Sequence, residues 1–144
     1  SCTENEGSIH RMSGVEFFTT PGYGDRNREL FHYSQAVKIG DRVELAGQGG
    51  WNDEWEFPGT LTEEIDQAFE NIERTLATAG AGWADVVNVR SYHVDIDAET
   101  VAYMASKLRQ YMPEQPPVWT NIGVAALGDE KMRVEIEITA IIRD

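Results

Sequence analysis

Two glutamates one residue apart, Glu135 and Glu137 in the run Arg133-Val134-Glu135-Ile136-Glu137-Ile138, are the residues of this chain whose type and spacing best suit chemistry. Side chains alternate along a strand, so both carboxylates share one face and Val134, Ile136 and Ile138 share the other. A carboxylate on a covered face loses water, its pKa rises, and it becomes able to hold and deprotonate a water molecule. Open to solvent, the same pair is an ordinary polar strand face, and periodicity alone does not separate the two readings. Other chemistries find less support. His10, His32 and His93 are far apart and none belongs to a His-x-x-x-His or paired-cysteine pattern, so no metal is expected. The lone cysteine, Cys2, lies in a polar N-terminal segment, and the chain has no Gly-x-Ser-x-Gly elbow for a nucleophile. Gly47-Gln48-Gly49-Gly50 lacks the helix start and the lysine of a phosphate-binding loop. General acid/base and polar binding chemistry remain, and such a site needs no cofactor.

Composition narrows the partners. With 144 residues and 41% apolar content the chain is expected to build one compact domain without disulfides. Its formal charge of −13, from 25 acidic and 12 basic residues, opposes binding to nucleic acid or to an anionic membrane surface. No apolar run approaches the roughly 18 to 20 residues of a membrane span. Residues 1–13, SCTENEGSIHRMS, lack the apolar core of a signal peptide and read as a mobile leader before a domain at 14–144. A single cysteine asks for no oxidising compartment, so a cytoplasmic location is expected.

The elements that must position the glutamates are organised around His32 to Gly49. Tyr33 to Lys38 runs extended, Ile39-Gly40-Asp41-Arg42 supplies turn chemistry, and Val43 to Ala46 returns. Gly47 and Gly49 then let the backbone bend or approach a ligand. Before this hairpin, Val15 to Thr20 predicts a strand, and the polar stretch from Pro21 to Glu29 predicts a surface loop. After it, Gly50 to Gly59 carries aromatic residues without a period; Trp51 and Trp55 there read equally as a lid over a pocket or as a cover for the end of the core. Thr60-Leu61-Thr62-Glu63 has capping-box form, and Ile65, Ala68, Phe69, Ile72, Leu76 and Ala79 recur at helical spacing up to Gly80, with Glu63, Glu64, Glu70 and Glu73 expected outside. Val86 to Val94 predicts a strand, Asp97 caps a second helix ended by Pro113, and Val118 to Ala126 and Met132 to Ile142 predict the last two strands. The expected fold is α+β, a six-stranded mixed sheet in the order β-β-β-α-β-α-β-β with two helices on one face. Val87 and Val89 lie in one strand phase and Val86, Tyr92 and Val94 in the other, so the uncovered face is expected to meet another subunit.

Tyr33-Ser34-Gln35-Ala36-Val37, the Ile39-Gly40-Asp41 turn, Ala46-Gly47-Gln48, and Val134-Glu135-Ile136-Glu137 together resemble the Rid family (YjgF/YER057c/UK114, the reactive-intermediate imine deaminases). The layout is similar from Val15 to Arg143, with a longer segment at 21–31. The resemblance implies a chorismate-mutase-like fold assembled as a homotrimer, with a small-molecule substrate in clefts between subunits. It also implies that Glu135 corresponds to the glutamate that positions the hydrolytic water, Tyr33 to a tyrosine lining the cleft, and Gly47 to a glycine whose backbone meets a substrate carboxylate. Three positions depart from the family pattern. The usual serine before the glycine is Ala46, a following position that is often cysteine is Asn121, and the arginine of the Pro-x-Arg-Ser/Thr segment, which clamps a carboxylate, is Trp119 in Pro117-Val118-Trp119-Thr120. An indole offers one neutral N–H where a guanidinium offers fixed charge and two parallel donors, and losing such a desolvated pair costs about 2 to 5 kcal/mol. Arg90 is the candidate replacement; Trp119 is a candidate platform for a larger, flatter or uncharged substrate, or else packs in the core or the trimer. The implied activity is hydrolysis of a reactive imine or enamine, or a related compound, other than small 2-imino acids. Non-catalytic ligand binding by the same trimer is the alternative reading. The ribonuclease or chaperone activity of some relatives is a third, which the acidic charge opposes.

Overall fold

Alternating β-branched residues and local caps place nearly every element of the chain, and the computed structural model describes residues 14–143. The expected leader, with Cys2 and His10, lies outside these described residues. In order they form β1 (Val15–Phe18), α1 (Tyr23–Phe31), β2 (Ala36–Ile39), β3 (Arg42–Gly49), α2 (Leu61–Thr78), a 3-10 turn (Trp83–Asp85), β4 (Val86–Val94), α3 (Ala98–Tyr111), β5 (Val118–Val124) and β6 (Val134–Ile141). The strands make one six-stranded sheet in the order β1-β2-β3-β6-β4-β5. Each described neighbouring pair is antiparallel except β4 and β5, which are parallel and joined across α3. The expected α+β class and mixed sheet are therefore observed.

Local chemistry explains the boundaries. The β2–β3 hairpin turns through Gly40 and Asp41, with Gly40 at φ 62°, a conformation that costs glycine little. Thr60 accepts the Glu63 N–H at 3.3 Å and donates to the Glu63 carboxylate at 2.6 Å, starting α2. Asp97 accepts the Thr100 N–H at 2.8 Å, starting α3. The apolar stripe of α2, Ile65, Ala68, Phe69, Ile72 and Leu76, is buried against Val43 and Leu45 of β3 and Val134, Ile136 and Ile138 of β6. Each such aliphatic side chain contributes about 1.5 to 3 kcal/mol of burial. That packing leaves the opposite side of β6 free of helices.

Two expectations are corrected. The segment expected as a surface loop is the helix α1, so the element order gains a third helix. Gly22 turns into it at φ 88°, the Asp25 carboxylate accepts the Gly22 N–H at 3.1 Å, Asp53 accepts the Tyr23 N–H at 3.1 Å, and His32 ends it in the left-handed region. Its buried residues are Tyr23, Gly24 and Asn27, so it is anchored by polar contacts instead of an apolar stripe. The Tyr23 hydroxyl donates to Gln48 Oε1 at 2.6 Å and lies 3.0 Å from Thr75 Oγ1. Through these bonds α1 is fastened to β3 and α2.

The second correction is Glu64, which was expected outside and is 0% exposed. Its carboxylate accepts the Arg133 N–H at 2.7 Å, the Arg133 Nε–H at 2.9 Å and the Val134 N–H at 3.3 Å. Three donors, one of them charged, offset the desolvation of the carboxylate. Gly50 faces it, and a Cβ at that position would collide with the Glu64 backbone carbonyl. Replacing Glu64 with alanine strands these donors and is expected to cost about 2 to 3 kcal/mol in urea unfolding, with Glu64→Gln losing less because it keeps an acceptor. A Glu64→Ala protein within 0.5 kcal/mol of wild type would show that the carboxylate does not hold α2 to β6.

Candidate active site

β6 carries the two glutamates as its alternation requires. Val134, Ile136 and Ile138 are fully buried beneath the helices, while Glu135 and Glu137 stand on the helix-free face. Next to them β3 is irregular: its pairing with β6 shifts register between Leu45 and Gln48, which places Ala46 and Gly47 in a β-bulge. The bulge brings the Gly47 backbone against Glu135, and a Cβ added at Gly47 would lie 2.6 Å from Glu135 Oε2. Gln48, at the end of the bulge, is locked by hydrogen bonds from its amide to Gln35 Oε1 at 2.8 Å and to the Ala46 carbonyl at 3.0 Å. The bulge is therefore held from beneath by a buried polar network.

Glu135 lines a cavity of about 260 Å³ together with Arg26, Asn27, Tyr33, Trp55 and Asp129. The Tyr33 oxygen accepts a hydrogen bond from Asn27 Nδ2 at 3.0 Å, which leaves its own proton free to donate into the cavity. Trp51 is 2% exposed and belongs to a small core with Tyr23 and Met132; Trp55 stacks on it with ring centroids 4.6 Å apart and forms part of the cavity wall. Both tryptophans line the cavity, Trp51 from its place in the small core and Trp55 stacked upon it. A larger concavity of about 470 Å³, lined by Trp83, Tyr111, Arg143 and residues 113–118, holds none of the residues singled out by type and spacing.

Environment divides the two carboxylates. Glu137 accepts from the Tyr92 hydroxyl at 2.5 Å and from Arg90 Nε at 3.3 Å. Among the described residues no donor reaches Glu135, and burial, reinforced by the negative charge of Glu137, pushes its pKa above the ordinary glutamate value. A carboxylate whose pKa is raised by burial and a neighbouring charge is suited to taking a proton.

Glu135, Tyr33 and Gly47 are thus brought together, and the remaining expected site residues are not. Arg90 sits on the same face, but its guanidinium is taken up by Glu137, by the Thr139 hydroxyl at 3.2 Å and, at 3.8 Å, by Glu44. Trp119 pairs in register with Val89 and Asn121 with Ser91, and Val89 and Ser91 are both fully buried on the helix side of the sheet. The Trp119 indole N–H donates to Ser91 Oγ at 2.9 Å, and its ring packs on the main core. Within one chain the β4–β5 register puts Trp119 and Asn121 on the opposite face of the sheet from Glu135. Arg26, Asn27 and Asp129 were not expected at the site, and Trp55 only as one of two readings of its loop. For Trp55 the unperiodic aromatic loop was a signal; Arg26 and Asn27 had none, since α1 shows no apolar repeat.

The raised pKa of Glu135 has a stability consequence of definite sign. Folding favours its protonated form, so ionising it in the native state costs stability; that cost is absent below the ordinary glutamate pKa of 4.5 and grows as pH rises through the raised value. Glu135→Gln is expected to be more stable than wild type at pH 7, with the difference closing as pH falls toward 4.5. Urea unfolding at several pH values measures it, and a variant less stable at pH 7 than at the acidic end, relative to wild type, would contradict the assignment.

Comparison with known proteins places this chain in a family. The profile of the family described as Endoribonuclease L-PSP matches residues 25–142. The chain is 35% identical to the 2-iminobutanoate/2-iminopropanoate deaminase of Bos taurus, over 76% of this chain and 79% of that protein. It is 28% identical to the RutC family protein YjgH of Escherichia coli, over 72% of this chain and 79% of that one. Among solved structures, a YjgF/YER057c/UK114 family member from Mycobacterium tuberculosis superposes with a TM-score of 0.73 at 28% identity, covering 90% of this chain and 100% of that one. The chain belongs to the endoribonuclease L-PSP family, the YjgF/YER057c/UK114 or Rid proteins.

Proposed function

We propose that this protein hydrolyses a small reactive imine or enamine in the Glu135 cavity. The observation that carries the reading is Glu135 itself: a carboxylate with a raised pKa and no donor from the described residues, set beside a bulged glycine and facing a cavity that also holds a tyrosine hydroxyl. The name of the bovine relative, an iminobutanoate/iminopropanoate deaminase, supports the same chemistry. Glu135 takes a proton from water as the water oxygen attacks the C=N carbon, giving a tetrahedral carbinolamine. That proton passes to nitrogen to complete the carbinolamine; the carbinolamine hydroxyl then gives its proton, through Glu135, to the nitrogen as the C–N bond breaks and C=O forms, and ammonia leaves a carbonyl product. The Tyr33 O–H donates to the substrate, and the Gly47 backbone shapes the floor beneath it. None of these steps requires a cofactor.

The helix-free sheet face supports assembly around this site. It exposes Phe17 (58%), Ile39 (49%), Val118 (64%) and Ile122 (42%) on its flanks, with Glu44, Arg90 and Glu137 between them. In the proposed homotrimer, two further copies cover this face and close the cavities into inter-subunit clefts; the number three rests on the family resemblance. Nucleic acid remains a poor partner for a chain of charge −13, whatever the family's descriptor says.

Imines released in situ by an L-amino-acid oxidase test the activity. Wild type is expected to accelerate their loss, Glu135→Gln to lower the rate about 100-fold or more, and Gly47→Ala to do nearly as much because its Cβ displaces the carboxylate. The rate should fall with acid along a limb lying above the ordinary glutamate pKa. Uncatalysed decay with every amino acid tried, alongside saturable ligand binding, would replace hydrolysis with a binding role. Light scattering on the eluted protein is expected to return three times the 16.2 kDa chain mass, and a monomer would remove the shared cleft.

A further inference from the structure

Arg26 stands out among the described arginines. Arg42, Arg74, Arg90 and Arg133 each form an ion pair with an aspartate or glutamate. Arg26, Arg28, Arg109 and Arg143 have no carboxylate of a described residue within ion-pair distance, and of these four only Arg26 lies in the wall of the Glu135 cavity. Its guanidinium carbon lies 4.2 Å above the centre of the Trp55 ring, and it makes one hydrogen bond, from Nη1 to Asn27 Oδ1 at 2.9 Å. Most of the five N–H donors of the fork are thereby left for something else.

The surroundings fix the fork where it is. Asn27 is fully buried and uses both ends of its amide, accepting from Arg26 and donating to Tyr33 at 3.0 Å. Trp55 adopts φ 61°, a left-handed conformation unusual for an aromatic residue, and is held in it by its stack on Trp51 and by its indole N–H donating to Asp129 Oδ2 at 2.9 Å. Asp129 lines the cavity too, and hydrogen bonds from the Lys131 N–H and Trp55, helped by the Arg26 charge, hold its pKa below the ordinary aspartate value. It stands beyond ion-pair distance of Arg26, however, and its oxygens are taken: Oδ2 receives Trp55 and Oδ1 receives the Lys131 N–H at 2.9 Å. A guanidinium stacked on a rigid indole, with its edge unpaired, is preorganised to take a planar anion bidentately.

We propose that Arg26 is the specificity-determining residue of the cavity and binds a carboxylate carried by the ligand, with the ligand's plane running along Trp55 and its reacting carbon toward Glu135. This rests on the reading that the Glu135 cavity is the reacting site, but the anion site has its own readout. The cavity's roughly 260 Å³ lies below the span of about 300 to 1,000 Å³ typical of drug-sized ligands, so the carboxylate belongs to a small molecule.

Two probes of nearly equal shape separate the charge from the rest: benzoylformate, a 2-oxo acid in which a carbonyl stands for the C=N group, and its neutral amide, benzoylformamide. Binding of each is followed by quenching of tryptophan fluorescence in the full-length wild-type protein and in Arg26→Met, Arg26→Lys and Glu135→Gln, with thermal melts reporting folding. Wild type is expected to bind benzoylformate more tightly than the amide. Arg26→Met should weaken benzoylformate about 10-fold or more while leaving the amide unchanged, Arg26→Lys should retain part of the preference, and Glu135→Gln should keep it whole. Equal binding of benzoylformate by Arg26→Met and wild type, equal weakening of both probes, or no binding of either probe by wild type would overturn the proposal. Arg26-dependent discrimination without imine turnover upholds the anion site and removes hydrolysis. Imine turnover that is as fast in Arg26→Met as in wild type does the reverse.

Discussion

The buried carboxylate of Glu64 is the constraint from which the geometry of the site follows. It reaches from the first turn of α2 to the start of β6 and captures the Arg133 and Val134 backbone N–H groups together with the Arg133 side chain. Those bonds set where β6 begins and therefore its phase. In a strand a slip of one residue exchanges the two faces; here it would send Glu135 into the core and Ile136 into the cavity. The aliphatic residues at 134, 136 and 138 prefer the same phase, so the buried charge and the hydrophobic pattern enforce one register between them. A group costly to desolvate is tolerated because it specifies the position of another.

With the phase set, the chemistry depends on making neighbouring carboxylates unequal. Glu137 is quieted by the Tyr92 hydroxyl and Arg90, and its retained charge then adds to burial in raising the pKa of Glu135. Arg90 is accordingly a structural counter-ion on the sheet face, and its apparent suitability as a ligand clamp dissolves once its partners are counted. The β3 bulge completes the arrangement: a side chain at Gly47 would push the Glu135 carboxylate out of its place, and a register shift beside Gln48 puts a glycine there.

The legible parts of the sequence were those decided by neighbours in the chain. The caps at Thr60 and Asp97 act over three residues, and the alternation from Val134 to Ile138 places Glu135 and Glu137 without knowledge of any partner. Illegible parts were decided by distant groups. Glu64 looked like one more exposed acid because its donors lie 69 and 70 residues away. The helix α1 looked like a loop because hydrogen bonds from Tyr23 and Asn27, not an apolar repeat, attach it. Trp119 falls in the strand expected to hold it, but alternation alone carries no information about which face the β4–β5 register will assign.

The way α1 is attached bears on how such a protein can change. Its tie to the sheet runs through a few side-chain hydrogen bonds around Tyr23, Gln48 and Thr75, and its outer residues face the cavity without entering the main apolar core. Glu135 resides on a core strand, whereas Arg26 and Asn27 of the cavity wall reside on that attachment. Tyr23 and Asn27 are the fixed points of that attachment, and a substitution at Arg26 alters the cavity wall without reaching the main apolar core, so the shape of the cavity and the packing of the main core are carried by different residues.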